Sequence, residues 1–130
     1  MLTAKAAFSG FSVNDQAKAK DFYTNILGLI VVDETMGLRL QLPGSGQLFI
    51  YPKDDHQPAG YTVLNFVVDN IDEAVDQLTS QGVEFEHYDG ETGPKTDAKG
   101  IARGLSTNMG PDIAWFKDPA NNIISVLQEK

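Results

Sequence analysis

Phe11-Ser12-Val13-Asn14-Asp15-Gln16-Ala17-Lys18-Ala19-Lys20-Asp21-Phe22-Tyr23-Thr24-Asn25-Ile26-Leu27-Gly28-Leu29, residues 11–29, is the stretch on which the fold turns. Its first residues close a segment, 5–13, that is rich in aromatic and small side chains and lacks helical periodicity, so it reads as a strand. Asn14 or Asp15 then offers a side-chain oxygen to the free amides of a helix start. From there Ala19, Phe22, Tyr23, Ile26 and Leu27 recur at the spacing of a single helical face. Gly28 follows where a left-handed residue ends a helix. Working outward, segments 29–35, 37–42 and 47–51 read as three strands, the last two joined by the turn Pro43-Gly44-Ser45-Gly46. The order is βαβββ.

The second half repeats it. Segment 61–68 reads as a strand, Asn70 with Glu73 forms a capping box, and Ile71, Ala74, Val75 and Leu78 give the next helix its buried stripe. Gly82 ends that helix, 83–88 reads as a strand, and 112–117 with 123–127 read as a closing hairpin. Placing Phe8 on Val63 sets Phe11 on Phe66 and Val13 on Val68, while Gly28 pairs with Gly82 after a small gap. Identity between the halves is slight, so the order of elements and caps carries the repeat. The polar linker Lys53-Asp54-Asp55-His56-Gln57-Pro58-Ala59-Gly60 separates module one, 5–53, from module two, 60–129, within an expected single domain spanning 1–130. The fold class expected is α+β, with two βαβββ modules curling mixed sheets around a shared cavity.

Composition narrows the chemistry. At 130 residues the chain can bury a real core, and without cysteine it has neither disulfides nor thiolate metal ligands. A net charge of −8 opposes nucleic acid as a partner, since phosphate binding relies on clustered Lys and Arg. No apolar run approaches the ~18 residues that span a bilayer, and Met1-Leu2-Thr3-Ala4-Lys5 lacks the features of a signal peptide. A soluble cytoplasmic protein is expected.

Two segments resemble a known family. Phe11-Ser12-Val13-Asn14-Asp15 followed by Phe22-Tyr23 and Leu27-Gly28 is similar to the first module of the vicinal-oxygen-chelate superfamily, the glyoxalase, bleomycin resistance and dioxygenase proteins. Phe116-Lys117-Asp118-Pro119-Ala120-Asn121-Asn122 resembles its Phe-x-Asp-Pro-x-Gly-Asn hairpin, with Asn121 in place of the glycine; Asn tolerates the left-handed conformation next best. The resemblance implies four metal-ligand positions, one on each of four strands. Counted from Asp15, Asp69 and Asp118, three of them fall on Phe8, Val63 and Ser125, and the fourth falls at or beside Tyr51. These residues lack the converging imidazole and carboxylate donors that divalent metals need. No metal and no cofactor are expected, and glyoxalase, extradiol dioxygenase and metal-dependent antibiotic-modifying chemistry are set aside.

The same resemblance points Trp115 into the cavity, and strand alternation adds Ile113 beside it. Phe8 and Ser12 on the first strand, Phe49 and Tyr51 on the fourth, and Val63 and Asn65 on the fifth share the cavity face, with Ser125 on the eighth. Arg39 and Gln41 alternate with Leu38, Leu40 and Leu42, whose apolar row is expected to face the helix. The result is an aromatic pocket with few polar groups, the composition of a small-molecule site. His56, in the acidic linker, reads as a solvated residue, and His87, at period two from Val83 and Phe85, as a partly buried one. The loop 89–110, with five glycines, is long enough to act as a lid.

The leading expectation is a metal-free binder of a small planar or aromatic molecule, of the kind that sequesters drugs, assembled as a homodimer. A metal-independent isomerase or lyase using His87, Tyr51 or a residue of the 89–110 loop for proton transfer is the first alternative. A regulatory or interaction module with a filled cavity is the second.

Overall fold

A computed structural model describes all residues, 1–130. The chain divides into two compact units, Met1–Pro58 and Ala59–Lys130, and each carries one four-stranded mixed sheet. No helix is long and apolar enough to cross a membrane.

In the first unit β1 (Ser9–Val13) leads into α1 (Gln16–Asp21), and β2 (Ile30–Glu34), β3 (Gly37–Gln41) and β4 (Gln47–Pro52) follow. The sheet order is β1-β4-β3-β2, with β1 parallel to β4 and the other pairs antiparallel. Asp15 caps α1 by accepting from the Lys18 amide at 3.0 Å. The helix then widens into a π-helical turn, Phe22–Ile26, where Leu27 N–H reaches the Phe22 carbonyl at 3.1 Å. Gly28 stops it at φ +70. The apolar row of β3 behaves as its alternation predicts. Leu38 and Leu40 are fully buried together with Val13, Ile50, Ala19 and Tyr23, and each large side chain contributes about 1.5–3 kcal/mol. Leu42, beyond the strand, is only half-buried.

The second unit repeats the plan with β5 (Thr62–Val67), α2 (Ile71–Ser80), β6 (Ile101–Arg103), β7 (Asp112–Lys117) and β8 (Ile123–Gln128), in the sheet order β5-β8-β7-β6. Asn70 caps α2 by accepting from the Glu73 amide at 3.1 Å, and Gly82 follows at φ +98. Ile71 and Val75 of α2 are buried, as are Ile101, Ala114, Phe116, Ile124 and Val126 of the sheet. Between β7 and β8 the Asp118 carboxylate accepts from the amides of Ala120 and Asn122 at 2.9 and 2.8 Å and from the Asn122 side chain at 3.0 Å. Asn121 takes φ +67, the left-handed conformation foreseen for it.

Two expectations need correction here. Segment 83–88 is not a strand: it meets β7 through a single bridge, Phe85 to Phe116, plus Glu86 N–H to the Trp115 carbonyl at 2.8 Å. The reason is competition for one edge. Residues 101–103 occupy β7 opposite Asp112–Ala114, so only Trp115, Phe116 and Lys117 remain for the earlier segment. The loop 89–110 therefore holds a strand and a 3₁₀ turn, Leu105–Thr107, rather than irregular chain throughout. His87 is also exposed, although Val83 and Phe85 before it are buried.

Candidate functional site

In the first unit, the face of the sheet opposite the buried row carries Gly10, Phe49, Arg39 and Val32 in register across β1, β4, β3 and β2. Phe8, just before β1, meets Phe49 edge-on with ring centroids 6.5 Å apart, and Phe49 stacks on Tyr51 at 6.2 Å. The Arg39 guanidinium lies 5.0 Å from the Phe8 ring centre and 5.5 Å from that of Phe49. Arg39 is not an open cation, because its Nε donates to Glu34 Oε1 and its Nη1 to Gln47 Oε1 at 3.2 Å. Gln41 is exposed, across from Gln47 and Ile30.

Ser12, paired with Tyr51 across the strands, hydrogen-bonds to Nδ1 of His56 at 2.6 Å. This corrects the reading of His56 as solvated: the linker folds back on β1, and Lys53 N–H donates to the Val13 carbonyl at 2.9 Å. Nothing in the spacing of Ser12 and His56 signalled that contact.

The corresponding row of the second unit is Asn65, Ser125 and Trp115. Ser125 is fully buried and donates to Asn65 Oδ1 at 2.5 Å. Val63 falls at a register shift between Thr62 and Leu64, which leaves it out of the ladder. Thr62 accepts from Trp115 Nε1 at 3.1 Å, and Tyr88 packs edge-on against the indole at 5.6 Å. With its N–H engaged, Trp115 offers a ligand its ring rather than a donor.

Ile113 and Trp115 together line a cavity of ≈ 650 Å³, walled otherwise by residues 93–97 and 101–104 and by Ser106, Thr107, Met109 and Pro111. Pro94, Ala102, Met109 and Pro111 add apolar surface, and Lys95, Thr96, Ser106 and Thr107 add polar groups. The length and glycines of the loop mark it as a candidate wall. Sequence reasoning missed Ala102 and Arg103, because the strand that carries them is only three residues long.

A charge network pins this wall to α2. Arg103 grips Asp72 through both Nη atoms at 2.8 and 2.9 Å and donates from Nε to Asp97 at 3.0 Å. Lys99 reaches Asp72 at 3.1 Å and Asp76 at 2.9 Å. The hydrogen bonds from Arg103 and then Lys99 hold the Asp72 carboxyl well below the usual carboxylate range. Asp97 also lies low. Its burial acts upward but is outweighed by the Ile101 amide, Arg103 and the Lys99 amide.

The metal-ligand positions can be checked against the sheet register. Ser125 sits opposite Asn65 and Phe49 sits opposite Gly10, so the repeat places the fourth-strand position on Phe49 rather than at Tyr51. Phe8, Phe49 and Val63 offer no donor atom, and the Ser125 hydroxyl is engaged with Asn65. No group of three or more His, Cys, Asp or Glu is arranged to hold a metal ion. This donor set does not fit a divalent metal.

A family model described as the Glyoxalase/Bleomycin resistance protein/Dioxygenase superfamily matches residues 6–126. Among solved structures, a member of that superfamily from Sphaerobacter thermophilus DSM 20745 is 29% identical, with TM-score 0.67 over 98% of this chain and 100% of the other. TnmS3, an antibiotic binding protein from Streptomyces sp. CB03234, is 25% identical, with TM-score 0.64 over 99% and 100%. FosX, a fosfomycin resistance protein from Listeria monocytogenes, shares the fold at 16% identity and TM-score 0.68 over 99% and 96%. No curated protein matches the sequence.

Proposed function

The chain belongs to the glyoxalase/bleomycin resistance protein/dioxygenase superfamily, and from that premise we propose that it is a metal-free binder of small planar or aromatic molecules. One observation carries this reading: Trp115 and Ile113 line a cavity of ≈ 650 Å³, within the size range of small-molecule sites. Lined by apolar groups with a few hydroxyls, one lysine and the paired Asp97 and Arg103, it suits binding by stacking. TnmS3, an antibiotic binding protein, supports sequestration as the role. A binder of the folded chain raises its Tm with ligand concentration. A thermal-shift screen of planar aromatic compounds is therefore expected to yield concentration-dependent stabilisation, and a flat response across the library counts against the reading.

A second reading, a metal-independent isomerase or lyase, is favoured by the Ser12–His56 contact, which joins a hydroxyl to an imidazole. It predicts turnover that His56→Ala abolishes with circular dichroism unchanged.

Association as a homodimer is part of the same proposal. Phe8, Ile30 and Val32 are 60%, 62% and 46% exposed on the open face of the first sheet, an apolar surface that self-association would cover. Light scattering at the monomer mass of 14.2 kDa under micromolar conditions contradicts it.

A further inference from the structure

The lining of the cavity in the second unit carries a net charge opposite in sign to that of the whole chain. Its lining includes three charged side chains, Lys95, Asp97 and Arg103. Two of them are spent on each other and on α2. Asp97 Oδ1 accepts from the amides of Lys99 and Ile101, and its Oδ2 accepts from Arg103 Nε. Arg103 gives one hydrogen from each Nη to Asp72 in a two-pronged pair, and its Nη1 also lies 3.7 Å from Asp112. Lys95 makes no ion pair and is exposed at the cavity wall, beside the hydroxyl-bearing Thr96. A ligand carrying a positive group would thus meet an ammonium and no carboxylate with an unused oxygen. A ligand carrying a negative group would meet the ammonium as the one lining charge without an ion-pair partner.

Resting on the binding role argued above, we propose that this cavity takes planar aromatic molecules bearing an anionic group such as a carboxylate, with the ring against Trp115 and the anion toward Lys95. The net charge of −8 taken by itself suggests a cationic ligand, but surface charge acts at long range and is screened within about 10 Å at 0.1 M salt. The groups lining the cavity act inside that distance.

The test is calorimetric titration at pH 7 with three probes that share one ring: naphthoate, naphthylmethanol and naphthylmethylammonium. Naphthoate is expected to bind about tenfold more tightly than the ammonium, since attraction to one exposed cation and repulsion by it each contribute a few-fold. Lys95→Ala is expected to bring the three affinities within about twofold, and Lys95→Glu to reverse their order. Both substitutions fall on an exposed side chain, and unchanged circular dichroism confirms the fold. Equal or tighter binding of the ammonium by the unsubstituted protein overturns the charge assignment while leaving the binding role intact, as does a preference that survives Lys95→Ala. Failure of all three probes to bind overturns the binding role and this assignment with it.

Discussion

The two modules of this chain begin alike and end differently. Each opens with a strand, caps its helix with an Asx side chain on the amide three residues on, and stops the helix at a positive-φ glycine. Asp15 and Asn70 stand at the same offset that sets Phe8 on Val63. Each then lays its last strand parallel to its first. On the helix-facing side, Leu40 and Ile50 in one and Phe116 and Val126 in the other are buried alike. The opposite faces diverge. Module one joins β2 to β3 through Thr35 and Met36 and leaves Phe8, Phe49, Tyr51 and Arg39 as an aromatic face. Module two surrounds β6 with loop and builds a walled cavity over Trp115. The shared half specifies the fold, and the unshared half is where ligand chemistry is free to change.

The largest effect expected from that contrast lies between faces, not between modules. Phe116→Ala is expected to cost about 3–5 kcal/mol and Leu40→Ala about 2–5 kcal/mol in urea unfolding. Phe49→Ala, on the open face, is expected to cost about 1 kcal/mol, the scale of an aromatic pair. If Phe49→Ala proves as costly as Leu40→Ala, the open face is core and the division fails.

That division was partly legible in the sequence. The caps at Asp15 and Asn70 and the turn at Asn121 are local signals that fix backbone conformation directly, and the structure keeps them, while the helix read from the spacing of Ala19, Phe22, Tyr23 and Ile26 is α-helical to Asp21 and π-helical from Phe22 to Ile26. The Leu38–Leu40 row was equally plain, because alternation assigns faces. Segment 83–88 misled because its alternation is real while its place on β7 depends on which segment takes that edge, a competition no local pattern records. The same holds for His56, whose partner Ser12 lies far back along the chain. Trp115 and Ile113 were expected in a cavity shared by the two modules, whereas the cavity they line here is walled by the loop and β6, which carry no periodic signal.

A smaller effect concerns the network that holds the wall. Asp72 has a folded-state pKa depressed by Arg103 and Lys99, so the unfolded chain binds its proton more tightly. Its stabilisation is complete above the unfolded value of about 3.9 and is lost as pH falls toward the folded one. The Asp72 side chain is 46% exposed, so solvent screening limits the effect to about 1 kcal/mol. Asp72→Asn is therefore expected to flatten the acid side of the stability profile below about pH 4. It is also expected to speed amide exchange across residues 97–105 at neutral pH. Module one ties α1 to β2 through a single exposed pair, Lys20 with Asp33 at 2.6 Å, and exchange in β2 and β3 is expected to be unaffected. An unchanged acid profile removes the pinning from the account.

The central claim, that module two holds an open binding cavity over Trp115, is reached most directly through the emission of that residue, the only tryptophan in the chain. Titration with a planar aromatic ligand identified by thermal shift, alongside urea unfolding of Trp115→Ala, reads binding and packing at one position. The account predicts saturable quenching with one site per chain. It also predicts that the variant loses about 1–3 kcal/mol of affinity, as at a binding hot spot, with stability within about 1 kcal/mol of the parent. Quenching that never saturates, together with a loss of about 3–5 kcal/mol of stability in the variant, would make Trp115 a core residue and contradict the claim.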